Sequence, residues 1–294
     1  MAVEENQINR WANPPSETEN EKCENAVSQI SDALKSHFGD NIYFVRQGSH
    51  RNRTNVRLDS DIDIAVVHGG YHFPDTTFLT EADKRLHDAS FVSARYPFSQ
   101  FKNDVHSVLT NKFGLLGVER KNKCIRVAGN SYRVNADVVP AYEHTRYSSY
   151  GVVSAKGVEF VADSGTRVHS FPNQHYENGV KKNDATSRAY KAVVRIMKNI
   201  RNEFVDKGKM KLETMPSFFI ESLVWNAPPD RFTGATWRDD AESVALKIWS
   251  DMRDSAISDN YAEVSDLLWL FRGHNRTPKQ AEDFMLQVWS YVRK

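Results

Sequence analysis

Cysteine is nearly absent from this chain: among 294 residues only Cys23 and Cys124 occur, far apart and in no CxxC pair. That excludes a disulfide scaffold and leaves too few thiolates for a zinc site built on cysteine. An excess of either charge is also missing, since 39 Lys and Arg face 38 Asp and Glu for a formal net charge of +1. A protein that coats duplex nucleic acid usually carries a marked basic surplus, so that class is excluded, although local basic clusters remain open. No apolar run approaches the roughly 18–20 residues of a membrane span. The opening MAVEENQINR is acidic and lacks an apolar stretch, so no secretory signal is expected there. Repeats and low-complexity tracts are lacking as well. What remains is an ordinary globular composition, 40% hydrophobic and 26% charged, long enough for one large domain or two moderate ones. A soluble cytoplasmic protein with no membrane partner is the expectation.

Hydrophobic periodicity orders the chain. The first twenty residues, with Asn13-Pro14-Pro15-Ser16, read as a loose arm leading to a helix over 17–38, where Val27, Ile30, Leu34 and Phe38 recur at helical spacing. A strand follows at 42–46, a polar loop over 47–60, a strand at 61–67, and helices over 78–95 and 98–113. Two strands near 124–128 and 131–139 read as a hairpin turning at Gly129-Asn130, with Pro140 ending the sheet. Beyond about residue 165, after a loop at Phe171-Pro172-Asn173, helices are expected over 184–205, 216–225, 235–255, 261–271 and 278–292. An α+β core with a mixed β-sheet followed by a helical half is therefore predicted, divided as 1–165 and 166–294, with the first long helix packing across both.

The residues that carry chemistry lie between Arg46 and Ile64. On a strand, Asp61 and Asp63 share one face and Ile62 and Ile64 the other. Two carboxylates so placed repel each other, and a hard divalent cation such as Mg²⁺ between them removes the conflict. On the 131–139 strand Asp137 stands opposite Val134, Ala136 and Val138; if the two strands are neighbours, three carboxylates converge. Such a set can hold two metal ions for an in-line displacement at phosphorus. Gly48 lets backbone approach a phosphate, and the Ser49 hydroxyl and nearby N–H groups can donate to triphosphate oxygens. Gly-Ser alone is an ordinary turn and Asp-Ile-Asp alone an ordinary strand end; their combination with a distant strand Asp is what is specific.

This combination resembles the polymerase β-like nucleotidyltransferases. Gln47-Gly48-Ser49, Arg51-x-x-Thr54, Asp59-Ser60-Asp61-Ile62-Asp63 and Ala136-Asp137-Val138-Val139-Pro140-Ala141 are similar, more narrowly, to the bacterial cGAS/DncV-like enzymes, the CD-NTases. The resemblance extends from about residue 17 to 292. It implies a nucleotidyltransferase core with a helical domain of the oligoadenylate synthase and poly(A) polymerase type, and nucleotides bound in the cleft between them. The implied reaction joins ribonucleoside triphosphates (ATP, GTP, UTP or CTP) into a cyclic di- or trinucleotide with loss of pyrophosphate, for anti-phage signalling through a downstream effector.

In that reading Asp61, Asp63 and Asp137 are catalytic and hold two Mg²⁺, or Mn²⁺, and Asp137 helps take the proton of the attacking hydroxyl. Gln47 touches ribose or phosphate. Lys191, Arg195 and Lys198 share a helix face, and the resemblance makes Lys198 the triphosphate contact with Lys191 second; a solvated basic face explains the same spacing. Ser217 reaches a phosphate and Phe218 stacks on a base, although Phe218 and Phe219 also fit a buried stripe. Trp225, Trp249, Trp269 and Trp289 are expected to pack the helical half, and His169 and His175 to be loop residues. No Cys/His cluster resembles the zinc insertion of animal cGAS, so activation by DNA is not expected. Transfer to an RNA end or a small alcohol, or nucleotide binding without turnover, are the other readings of the same core.

Overall fold

The computed structural model describes residues 3–14, 16–56, 61–92, 95–273 and 275–293. Helices α1 (Glu5–Ala12) and α2 (Glu17–Phe38) lead to strand β1 (Ile42–Gln47) and a short helix α3 (Gly48–Asn52). Then come β2 (Ile62–Asp75), α4 (Glu81–Ser90), α5 (Phe98–Phe113), β3 (Val118–Arg120), β4 (Ile125–Val127), β5 (Ala136–Ser149), β6 (Val152–Val161) and β7 (Arg167–Ser170). The remainder is helical: α6 (Pro172–Ala185), α7 (Ala189–Asp206), α8 (Ser217–Asn226), α9 (Trp237–Asp251), α10 (Ser255–Ser258) and α11 (Pro278–Val292).

Two compact units result. One comprises Glu17–Gln47 and Asp59–Pro172; the other gathers Met1–Ser16, Gly48–Leu58 and Asn173–Lys294. The division is thus not a single cut near residue 165, because two early segments bury their side chains in the helical unit. The expected loose arm is helix α1, whose Ile8 and Ala12 are buried with α7 and α9 side chains. Arg238 fixes it, its Nε lying 2.6 Å from Glu5 Oε2 and its Nη2 donating to the Val3 carbonyl at 2.6 Å. Helix α2, expected to span both halves, buries Cys23, Ala26, Ile30 and Leu34 in the core of the sheet unit.

The sheet has the order β1-β2-β5-β4-β3, with β6 on β5 and β7 on β6. Among the described residues only β2 and β5 run parallel and the other pairings are antiparallel, so the sheet is mixed as expected. One face carries Ile62, Ile64, Val66, Ile125, Val127, Ala136 and Val138, packed on α2 and on Phe101, Val105 and Leu109 of α5. The opposite face has a much smaller apolar patch of Ala65, Val67, Ala141 and Val158.

Strand β5 does not stop at Pro140. It continues to Ser149 because β4 pairs only through Val138 and β6 begins only at Tyr142, so Pro140 lies in the gap between their ladders. The proposed tight hairpin at Gly129-Asn130 is a longer turn, held by the Asn130 side chain accepting from the backbone N–H groups of Tyr132 and Arg133.

In the helical unit, α7 is entered through Ser187 and Arg188, both at positive φ (49° and 73°). The break separates it from α6, which Pro172 opens and which the sequence reading leaves as a loop. The expected helix over 261–271 is instead an extended turn closed by a bridge between Ala262 and Trp269. Asp266 there has φ 60°, which ends helical continuation, and the Asn226 side chain brackets Ala262 with two hydrogen bonds. Trp225, Trp249 and Trp289 pack against the helical core as expected, whereas Trp269 is 44% exposed and lies under the Arg272 guanidinium.

Candidate active site

Register gathers the expected carboxylates. In the parallel ladder Asp63 of β2 stands opposite Asp137 of β5. Gln47 of β1 pairs with Asp63 on one side, and Arg126 of β4 pairs with Asp137 on the other. Glu119 of β3 follows opposite Arg126. Five adjacent strands thus carry one transverse row, Gln47, Asp63, Asp137, Arg126 and Glu119. Alternation along the strands puts it on the face opposite α2 and α5, since Ile62, Ile64, Ala136, Val138, Ile125 and Val127 all enter that helix-covered core.

Two carboxylates side by side on neighbouring strands, which lie about 4.8 Å apart, repel. The consequence falls on Asp63. Burial first, then the charges of Asp137 and Asp61, push its carboxyl up to about 7. Asp137 Oδ1 is buried with no hydrogen-bond partner among the described residues. The Cys124 thiol donates toward Asp137, and burial together with that carboxylate raises the thiol to about 12. Asp61 precedes the first residue of β2 and acts on Asp63, and it is ion-paired itself: Arg126 Nη2 donates to Oδ1 at 3.1 Å and lies 3.1 Å from Oδ2. A hard divalent cation fits this donor set, which is oxygen-only, crowded with negative charge and contains an unsatisfied buried oxygen. Among the described residues, however, no three His, Cys, Asp or Glu side chains already form a metal-holding group. Asp59 and Ser60 of the sequence motif lie outside the described residues.

Gly48 and Ser49 begin directly after Gln47, at the first turn of α3, and Gly48 has φ 74°. This segment belongs to the helical unit and is clamped there. Thr54 N–H donates to the Ser49 carbonyl (2.9 Å) and the Thr54 hydroxyl to Glu221 Oε2 (2.9 Å). Lys198 Nζ donates to the Thr54 carbonyl and hydroxyl oxygens (3.1 Å each) and lies 3.3 Å from Glu221 Oε2. Glu221 Oε1 meets His175 Nε2 at 3.0 Å. Arg195 donates to the Arg53 carbonyl at 2.7 Å and, through Nε, to the Ala12 carbonyl at 2.8 Å. Arg51 reaches Asn173 Oδ1 at 2.9 Å and lies over the Tyr176 ring.

The basic face of α7 is therefore neither solvated nor an open phosphate stripe. Lys191, Arg195 and Lys198 are all buried, Lys198 to 1% exposure, because this face packs on the 48–54 segment rather than on water. Lys191 Nζ stands over the Tyr176 ring at 5.8 Å. Ser217 opens α8 and accepts from Arg201 Nη2 at 3.2 Å. Of the adjacent aromatics, Phe219 is wholly buried while Phe218 is 37% exposed, flanked by the His175 ring and by Arg276. His175 is a helix residue on Glu221, and His169 lies on β7 stacked on His144, so neither is a loop histidine. Sequence reasoning missed Arg126, Glu221 and Cys124. Only Arg126 left a signal, as a charge in the alternating strand Ile125-Arg126-Val127.

Comparison with known proteins fixes the family. Residues 177–293 match the cGAS/DncV-like nucleotidyltransferase C-terminal helical domain. A cyclic dipurine nucleotide synthase of Elizabethkingia meningoseptica is 40% identical over 99% of both chains. The chain belongs to the cGAS/DncV-like nucleotidyltransferases. A cyclic dipyrimidine nucleotide synthase of Cecembia lonarensis is 35% identical over 98% of each. The structure of the Elizabethkingia meningoseptica cyclic dinucleotide synthase with GTP and Apcpp superimposes with a TM-score of 0.84 at 38% identity, covering 99% of this chain and 100% of that one. Similarity of this order to both a dipurine and a dipyrimidine synthase means that overall likeness to CD-NTases does not select the bases joined. No helix among the described residues is long and apolar enough to cross a membrane.

Proposed function

We propose that this CD-NTase joins ribonucleoside triphosphates into a cyclic di- or trinucleotide, with the product acting as an anti-phage signal read by a downstream effector. The observation that carries the reaction is the register that sets Asp63 opposite Asp137 beside Asp61. In the first transfer a ribose hydroxyl oxygen bonds to the α-phosphorus of a second nucleotide, the bond to the bridging oxygen breaks, and pyrophosphate leaves. A second transfer closes the ring. Asp61, Asp63 and Asp137 hold two divalent ions, Mg²⁺ or Mn²⁺. When bound, these supply charge neutralisation at the phosphates and a lowered pKa at the attacking hydroxyl. Asp137, whose Oδ1 has no partner among the described residues, takes the hydroxyl proton.

Ser49 and the first N–H groups of α3 bind the donor triphosphate, and Gln47 and Ser217 add polar contacts. Phe218 offers a half-open aromatic surface for a base. Lys198 acts one step back, holding Thr54 and through it the Ser49 backbone. The test is incubation with four labelled ribonucleoside triphosphates and Mg²⁺ or Mn²⁺, then phosphatase. A phosphatase-resistant compact product that disappears in Asp63→Asn is expected; a phosphatase-sensitive ladder would show linear polymerisation instead.

A further inference from the structure

We propose that Arg126 is the built-in counter-cation of the carboxylate row and makes metal uptake depend on nucleotide. The inference rests on the reading that this row holds divalent metal, and goes beyond it by assigning a positioning residue.

Arg126 is the cation of the row, placed by register between two carboxylate-bearing positions. It stands opposite Asp137 in the β4–β5 ladder and opposite Glu119 in the β3–β4 ladder. Its Nη2 is shared between both oxygens of Asp61, at 3.1 Å from each. Its side-chain partner is thus Asp61, with Asp137 and Glu119 its register neighbours, Asp63 one strand beyond Asp137, and Cys124 just before β4. The charged side chain is only about one-third exposed, and Asp61 one-quarter, so water screens the pair incompletely.

Two physical consequences follow. Paired with a guanidinium, the Asp61 carboxylate is partly neutralised and held toward Arg126, so a metal must compete with that ion pair for it. The guanidinium also carries positive charge and so repels a free divalent ion. A metal that arrives with a triphosphate is different, because the phosphates bring their own negative charge and compensate Arg126 while Asp61 turns to the ion. Arg126 therefore suppresses loading of the bare metal and leaves loading of the metal–nucleotide pair open.

The test measures Mn²⁺ affinity by calorimetry and by the electron paramagnetic resonance of free Mn²⁺. Wild type, Arg126→Gln, Arg126→Met and Arg126→Lys are each titrated with and without a non-hydrolysable nucleoside triphosphate analogue. For wild type the analogue should tighten Mn²⁺ binding at least tenfold. Without analogue, the Gln and Met variants should bind Mn²⁺ about 5–20-fold tighter than wild type, since they lose both the competitor for Asp61 and its repulsion. The benefit from analogue should shrink by the same factor, and Lys should restore wild-type behaviour. A folded Gln or Met variant that binds bare Mn²⁺ no tighter than wild type overturns the proposal. An Asp63→Asn/Asp137→Asn double variant separates the two levels: unaltered Mn²⁺ binding there overturns the metal reading itself, whereas loss there with no gain in Arg126→Gln overturns Arg126 alone.

Discussion

Lys198 and Glu221 form an ion pair inside the helical unit, Nζ to Oε2 3.3 Å, with both side chains almost fully removed from water. Burial alone would raise the Glu221 carboxyl, but Lys198, His175 and the Thr54 hydroxyl outweigh it and hold the group down at about 2. A buried pair is costly to desolvate and costlier to break, because the survivor is left as an uncompensated charge. Glu221→Ala should therefore lose about 3–5 kcal/mol of stability, read as a lower urea midpoint with an unchanged slope. Replacing the pair together, as Lys198→Met/Glu221→Leu, should cost less than Glu221→Ala alone. The reverse ranking would show that the pair is not what stabilises this region.

The same carboxylate sets a pH dependence. Its folded value of about 2 lies below the ordinary 4.5, so the unfolded chain binds the proton first. The stabilisation is complete above about pH 5 and is lost as pH falls toward 2. Asp75, partly buried but held by Thr77 and Arg146, and Asp163, hydrogen-bonded by Arg120, are also lowered to about 2 and add to the loss over their own range. Asp63 runs the other way, since its folded value of about 7 lies above 3.8 and favours the folded state at lower pH. Urea unfolding at pH 7, 5 and 3 should therefore show a steep fall only below pH 5, and Glu221→Gln should flatten it. A uniform decline from pH 7 to 3 would contradict this.

Thr54 links this network to Ser49, since its hydroxyl donates to Glu221 and its N–H to the Ser49 carbonyl. Thr54→Val keeps the shape and removes the hydroxyl, leaving Glu221 Oε2 one donor short, at about 1–3 kcal/mol. If Ser49 holds the donor triphosphate, the looser turn should raise KM for nucleotide several-fold more than it lowers kcat. An unchanged KM with a lower melting temperature would confine Thr54 to a structural role.

Much of the site was legible from one dimension. The alternation of Asp61 and Asp63 with Ile62 and Ile64 already puts carboxylates on one face, and Ala136-Asp137-Val138 repeats the pattern, so their convergence needs only that the strands be neighbours. The counter-charges were not legible, because Arg126 and Glu221 gain meaning only through ladder register and helix packing that join residues 65 and 167 apart. The α7 lysines show the same limit. Periodicity puts Lys191 and Lys198 on one face, but only the seating of residues 48–54 turns that face inward. Residues 261–271 misled for a local reason: an apolar stretch reads as a helix, while Asp266 at positive φ and the Asn226 clamp favour a bridged turn.

Function and stability should oppose each other at the carboxylate row. Asp63 and Asp137 face one another with like charge, a placement that weakens an ordinary ladder by a few tenths to about 1 kcal/mol. Asp63→Asn and Asp137→Asn should thus melt about 0.5–2 °C higher than wild type in chelator while losing at least about 10³-fold in synthesis. Excess Mg²⁺ with nucleotide should raise the wild-type melting temperature and leave both variants unmoved. Variants that melt lower than wild type in chelator would mean that the two carboxylates hold the sheet together, rather than being kept there against its stability.

The neighbouring phenylalanines provide the contrast between a binding surface and a core. Phe219 has no exposed area and meets Phe271 edge-on at 5.9 Å, so Phe219→Ala should cost about 3–5 kcal/mol through the cavity it leaves. Phe218 keeps 37% of its surface open beside His175 and Arg276. Stacking of a base on such a ring is worth about 1–3 kcal/mol, so Phe218→Ala should raise KM for one nucleotide about 5–150-fold while leaving the melt within a few degrees of wild type. Phe218→Tyr should retain most of the affinity, because stacking asks only for an aromatic face. If Phe218→Ala leaves nucleotide affinity intact, the exposed ring is cover for the buried Glu221–His175 pair beneath it, and the base must be held elsewhere in the molecule.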